Sequence, residues 1–128
     1  MKTISLEQLL QIHALVIRET GGSAWLRDLG RLESALATQT QHVFDQELYK
    51  GELEKAAALI RAIIADHPFV DGNKRTAMLV GLTFLGINGA SPTIPEGELE
   101  DFAVKIAVDK LDVSEITAWL LVHVKAAG

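Results

Sequence analysis

From Ala77 to Ile87 the chain reads Ala-Met-Leu-Val-Gly-Leu-Thr-Phe-Leu-Gly-Ile, apolar on every face at helical spacing. Such a stretch marks a helix enclosed by other helices, so a buried central helix is expected over about 74–88, with Asn73 as its N-cap and Asn88-Gly89 as its stop. The other helical stretches are amphipathic. Ser5-Leu6-Glu7-Gln8 matches a capping box, and Leu6, Leu9, Leu10, His13, Val16 and Ile17 then share a face until Gly21-Gly22. Ser23 to Arg27 reads as a loop carrying Trp25, after which Asp28 caps a short helix through Leu29, Leu32 and Leu36 that ends near Thr40. Glu52 to Asp66 puts Leu53, Ala56, Ala57, Ile60 and Ile64 on one face, and Pro68 disfavours helical geometry at His67.

The carboxyl-terminal third continues the pattern. Thr93-Ile94-Pro95-Glu96 reads as a second capping box with proline in the first turn, leading into a helix through Leu99, Phe102, Ala103, Ile106 and Ala107. Asp112 and Glu115 cap the last helix, where Ile116, Trp119, Leu120 and His123 recur on one stripe. Between 41 and 51 the periodicity fails, while Val43, Phe44, Leu48 and Tyr49 stay apolar, which predicts a loop with packing anchors or a short extended segment. No other strand is expected. The fold class is therefore all-α, one domain over 1–128, a bundle of about six helices around the central one. His13, inside an apolar stripe, reads as a hydrogen-bonded, half-buried histidine rather than a catalytic one.

At 128 residues the chain is long enough to bury roughly two-thirds of its unfolded surface without staples. It has no cysteine, which removes disulfides, thiolate zinc ligands and a cysteine nucleophile. A formal charge of -5 disfavours broad phosphate-backbone binding, so nucleic acid is not an expected partner. The longest apolar run falls short of the roughly 18 residues that a membrane span needs, and polar residues interrupt the amino terminus, so no membrane partner and a soluble, cytoplasmic protein are expected.

Candidate chemistry sits just before the central helix, in His67-Pro68-Phe69-Val70-Asp71-Gly72-Asn73-Lys74-Arg75-Thr76. A helix start offers unpaired N–H groups and partial positive charge to an anion, and here it also carries Lys74 and Arg75. Gly72 can adopt positive φ, so Gly72, Asn73, Lys74 and Arg75 form a turn suited to wrapping phosphate oxygens. A polyphosphate such as ATP usually arrives with magnesium, and Asp71 is the one carboxylate inside the motif, hence the expected metal ligand. His67, near neutrality in pKa class, suits removal of a proton from a hydroxyl nucleophile and is the expected general base. Phe69 reads as an apolar peg fixing the loop to the core. A zinc site on His67 and Asp71 lacks both a helical register across Pro68 and an evident third ligand. No strand precedes the motif, unlike a P-loop.

His67 to Ala77, His-Pro-Phe-Val-Asp-Gly-Asn-Lys-Arg-Thr-Ala, resembles the motif of the death-on-curing (Doc) toxins of the Fic, or Fido, superfamily. Further similarity lies in Asp28 to Leu36, Glu54 to Ala58, and Phe84-Leu85 ahead of Asn88-Gly89. The resemblance implies that His67 activates a target hydroxyl, Asp71 binds magnesium, and Gly72 to Arg75 hold nucleotide phosphates. The common Fic pattern, His-x-Phe-x-(Asp/Glu)-Gly-Asn-Gly-Arg-x-x-Arg, supports AMP transfer. Here Lys74 replaces the second glycine and Met78 stands where the last arginine would be. Doc toxins share these departures, which implies ATP bound the other way round and transfer of its γ-phosphoryl group to a hydroxyl of elongation factor Tu, arresting translation. The resemblance also implies an antitoxin with a segment that folds on binding, and a 41–51 flap that aligns the target peptide. The self-inhibitory Ser/Thr-x-x-x-Glu-Gly/Asn motif is absent, so restraint is expected from another chain. AMP transfer and a catalytically idle binding module are the alternatives. Arg31 and Arg61 stay outside the expected catalytic set.

Overall fold

The computed structural model describes residues 1–126. Six helices follow in order, α1 (Leu6–Thr20), α2 (Leu29–Ala37), α3 (Glu52–Asp66), α4 (Asn73–Ile87), α5 (Glu96–Asp109) and α6 (Val113–His123), with a 3-10 turn at Thr38–Thr40. Side-chain caps open three of them. Ser5 and Gln8 close the expected capping box on α1, Asp28 accepts the Arg31 N–H at the start of α2, and Asp112 and Glu115 form a box on α6.

The core is centred on α3 and α4, which run against each other, with α1 and α5 on α4 and with α2 and α6 on α3. Gly81 sets how close the two central helices come. A Cβ there would lie 2.5 Å from both Cγ1 and Cδ1 of Ile60, so only hydrogen fits between the helices. Phe84, Leu85, Met78 and Val80 of α4 meet Leu59, Ile60 and Ile63 of α3 in one apolar cluster, closed by Leu9, Leu32, Ile116 and Leu120. Helix α4 is central as its composition predicts, but Thr83 and Gly86 reach the surface, and α3 is buried as thoroughly.

Several local expectations need correction. Helix α4 begins at Asn73, and its cap residue is Gly72, because the Asn73 side chain is engaged elsewhere. Pro95 is the cap residue of α5, with no side-chain cap bond, and Thr93 contacts Ser91 instead of closing a box. Two small two-stranded antiparallel sheets also occur. One is a hairpin of β1 (His42–Val43) and β2 (Gln46–Glu47), and the other pairs β3 (Ala90–Pro92) with β4 (Val124–Ala126) across α5 and α6, in the register Ala90 to Ala126. In the first, Phe44 is 95% exposed at the turn, so it is not the packing anchor expected of it, and Val43 and Leu48 are exposed as well. Among the described residues no helix is long and apolar enough to cross a membrane.

Candidate active site

The α3–α4 connection, residues 67–72, is built to hold one shape. Helix α3 ends at His67, whose φ of 47° and ψ of 59° place it in the left-handed region that usually selects glycine. Carrying that geometry on a side chain costs about 1 kcal/mol. Pro68 then prevents any continuation of α3, and Phe69 is driven into the core, 1% exposed. His13 of α1 stacks flat on Phe69, ring centroids 3.6 Å apart and planes 6° apart, and its Nε2–H donates to the Asp71 carbonyl at 2.8 Å. The expectation for His13 holds in kind: it is buried and hydrogen-bonded, and its partner is the candidate catalytic loop.

Asn73 braces the same loop from the other side. Its Oδ1 accepts the Phe69 N–H at 3.0 Å and its Nδ2 donates to the Phe69 carbonyl at 2.8 Å, which fixes the amide's orientation. Nδ2 also stands 3.4 Å from His67 Nδ1, too long to dictate the ring's tautomer. A third support comes from the chain between α1 and α2. Pro68 O accepts the N–H groups of Arg27 and Asp28 at 2.7 and 3.0 Å, Val70 N–H donates to Trp25 O at 3.1 Å, and Leu26 bridges Phe69. The loop carrying Trp25 is thus a strap laid along the motif, a pairing with no periodic signature in the sequence.

On the solvent side, Asp71 is exposed, and its Oδ2 accepts the Ser23 N–H at 2.7 Å. Gly72 takes the positive φ expected of it, 80°, but the space a Cβ would need is filled by Ile17 and Val16 of α1, at 3.2 and 3.3 Å. Its missing side chain therefore makes room for α1. With no side-chain cap on α4, the first amides of that helix remain available to an anion. Lys74 is exposed, whereas Arg75 is held by Glu96 at 2.6 Å, Glu100 at 3.0 Å and Glu19 at 3.6 Å. The hydrogen bond to Glu96 is the largest influence raising Arg75 above the usual arginine pKa, so the guanidinium stays charged. Its Nε, shielded from solvent, has no acceptor.

The expected residues His67, Asp71, Gly72, Asn73, Lys74 and Arg75 thus lie on one braced turn, with Asn73 committed to the loop's own backbone and Arg75 to carboxylates of α1 and α5. Arg61 lines a cavity with His67, and Arg31 donates to the Asp66 carbonyl at 2.9 Å beside it. A lone carboxylate with one free oxygen suits a magnesium ion that brings its other oxygens from phosphate and water. Among the described residues no group of three His, Cys, Asp or Glu side chains is placed to hold a metal ion by itself.

A model of the Fic/DOC family matches residues 3–85. The toxin Doc of Mycolicibacterium smegmatis (strain ATCC 700084 / mc(2)155) is 36% identical over 109 residues, 84% of each chain. The protein kinase doc of Escherichia phage P1 is 33% identical over 116 residues, 91% of this chain and 90% of that one.

Proposed function

The chain belongs to the Fic/DOC family, and from that membership we propose that it is a Doc-type toxin that phosphorylates a protein hydroxyl. ATP is the donor, magnesium the metal, and a translation factor like elongation factor Tu the target. The reading is carried by one observation: His67, Asp71 and the uncapped amides of α4 sit on a single turn that three separate sets of contacts hold in place. Phosphoryl transfer asks little of a protein beyond positioning and charge neutralisation, which such a turn supplies.

His67 takes the hydroxyl proton at Nε2, the nitrogen facing away from Asn73. The attacking oxygen bonds to the γ-phosphorus, the bond from that phosphorus to the β–γ bridging oxygen breaks, and ADP leaves. Asp71 would hold the magnesium, which would supply positive charge where oxygen charge accumulates. Lys74 and the amides of Gly72 to Arg75 hold the chain of phosphates, while Asn73 acts mainly by fixing the turn. Arg75 reaches phosphate by exchanging one of its three carboxylates.

The name of the Mycolicibacterium smegmatis relative, a toxin, supports restraint by a cognate antitoxin, and the proposal includes an antitoxin segment that folds on binding. AMP transfer is the second reading, favoured by the cavity at His67 and opposed by Lys74 and by Met78, which is buried where the common pattern has an arginine. His67→Ala should abolish transfer and leave the melting temperature within a few degrees. Asp71→Ala should weaken the response to magnesium, measured as rate against metal concentration. Full activity in the first variant, or an unchanged metal dependence in the second, removes that residue from its role.

A further inference from the structure

Under the proposed function Asp71 is the one protein group offered to magnesium, and among the described residues no group of three His, Cys, Asp or Glu side chains forms around it. A carboxylate that ligates alone has no companion ligand to hold its direction, so the direction must be set by the groups behind it. Those groups lie in the chain between α1 and α2. Ser23 N–H donates to Asp71 Oδ2 at 2.7 Å, the short distance of a bond to a charged acceptor, while Oδ1 makes no hydrogen bond among the described residues. The Asp71 backbone is fixed separately, by His13 at its carbonyl. One carboxylate oxygen is thus held and the other is left free.

The donor is itself tied down without help from Asp71. Ser23 Oγ accepts the Trp25 N–H at 3.1 Å, Trp25 O accepts the Val70 N–H, and Arg27 and Asp28 donate to Pro68 O, so the strap keeps its place along the motif. Gly22 then sets how closely the strap approaches the carboxylate. Its φ of 102° lies in the left-handed region, and a Cβ there would stand 3.1 Å from both Cβ and Oδ2 of Asp71. Either the carboxylate would turn or the strap would retreat. Gly21 also has a positive φ, 79°, yet a Cβ there would meet nothing within 4 Å. Gly21 ends α1, with its N–H on Ile17 O, so the stop of that helix accounts for Gly21 and not for Gly22. Of the two adjacent glycines, only the second faces the carboxylate.

We propose that Gly22 and the Ser23 N–H form a cradle that positions Asp71, holding Oδ2 and leaving Oδ1 to magnesium. Both are positioning residues that act through Asp71. The proposal rests on the reading that Asp71 binds magnesium beside a nucleotide, and its test reads binding rather than turnover. Manganese(II) stands in for magnesium, because it takes the same oxygen ligands and is paramagnetic. Calorimetry gives the affinity for ATP with manganese and, separately, with EDTA in place of metal. The ratio of the two is the metal-dependent gain, and electron paramagnetic resonance counts the manganese in the complex.

The unaltered chain should bind ATP more tightly with manganese than without it. Gly22→Ala should cut that gain about tenfold and leave metal-free ATP binding unchanged. Gly21→Ala places a side chain at a positive φ as well, but away from Asp71, and should keep the full gain. Ser23→Pro, which deletes the donor, should match Gly22→Ala, so either variant suffices where melting curves show that the other has not folded. In an Asp71→Ala chain, which has lost the gain, Gly22→Ala should have no further effect. A folded Gly22→Ala or Ser23→Pro chain with the full gain overturns the cradle alone, as does an equal loss in Gly21→Ala. A full gain in Asp71→Ala overturns the metal reading and the cradle together, and an unaltered chain that binds no ATP overturns the nucleotide reading with them.

Discussion

His67 shows how one residue serves two demands that conflict. As the last residue of α3 it occupies a left-handed conformation that glycine adopts without steric penalty, and as the proposed base it needs an imidazole. His67→Gly should therefore lose all transfer yet keep or raise stability, by up to about 1 kcal/mol. Denaturant unfolding beside an activity assay checks both halves, and a marked loss of stability would show that the ring is a structural prop. The types and order of the motif residues were legible in the sequence, because an anion site at a helix start needs amides, a positive φ and nearby cations. Their allegiances were not. Asn73 spends its amide on Phe69, Gly72 yields its space to α1, and Arg75 faces acids 56 residues before and 21 and 25 after it in the chain; no local pattern encodes such contacts.

At the scale of the element, apolar periodicity places all six helices, although the side-chain caps expected at the starts of α4 and α5 do not form. The hairpin of β1 and β2 has no clear sequence signature, since two residues per strand are too few to show alternation and Phe44 and Asp45 turn the chain with positive φ. Burial of Lys55 was also hidden, because its ammonium is satisfied by the Gln39 carbonyl and by Glu47 of β2, both outside α3. Two element-level predictions follow from packing and capping. Gly81→Ala should destabilise despite its better helix propensity, since forcing α3 and α4 apart at Ile60 costs about 1–3 kcal/mol against a gain of about 1 kcal/mol. A double-mutant cycle with Ile60→Ala should show strong coupling; additive effects would refute close contact as the cause.

The other concerns the start of α6. The Glu115 backbone N–H, and then the Ser114 hydroxyl, hold the Asp112 carboxyl below the usual carboxylate range. A pKa depressed on folding contributes stability above the unfolded value, about 3.9, and that contribution fades as pH falls through the folded value. Asp112→Asn should accordingly remove part of the acid-side slope of stability. An unchanged slope between about pH 4 and pH 2 would exclude the cap as its source.

At the scale of the whole molecule, the bundle positions one junction. Helices α3 and α4 form the centre, α1 supplies His13, the strap before α2 pairs with the motif, and α5 supplies the acids at Arg75 and a wall of the cavity at His67. Helices α1, α3, α4 and α5 and the strap before α2 thus touch the site or its supports. If the junction binds nucleotide, ATP with magnesium at a hundredfold excess over the dissociation constant should stabilise the chain by about 2.7 kcal/mol. The most direct test of the central claim follows the phosphorus itself: the chain is incubated with bacterial extract, magnesium, and ATP labelled in parallel at the γ or the α position, with His67→Ala as control. The account predicts label on a protein from the γ position alone, and none with the variant. Label arriving from the α position would mean AMP transfer and contradict it.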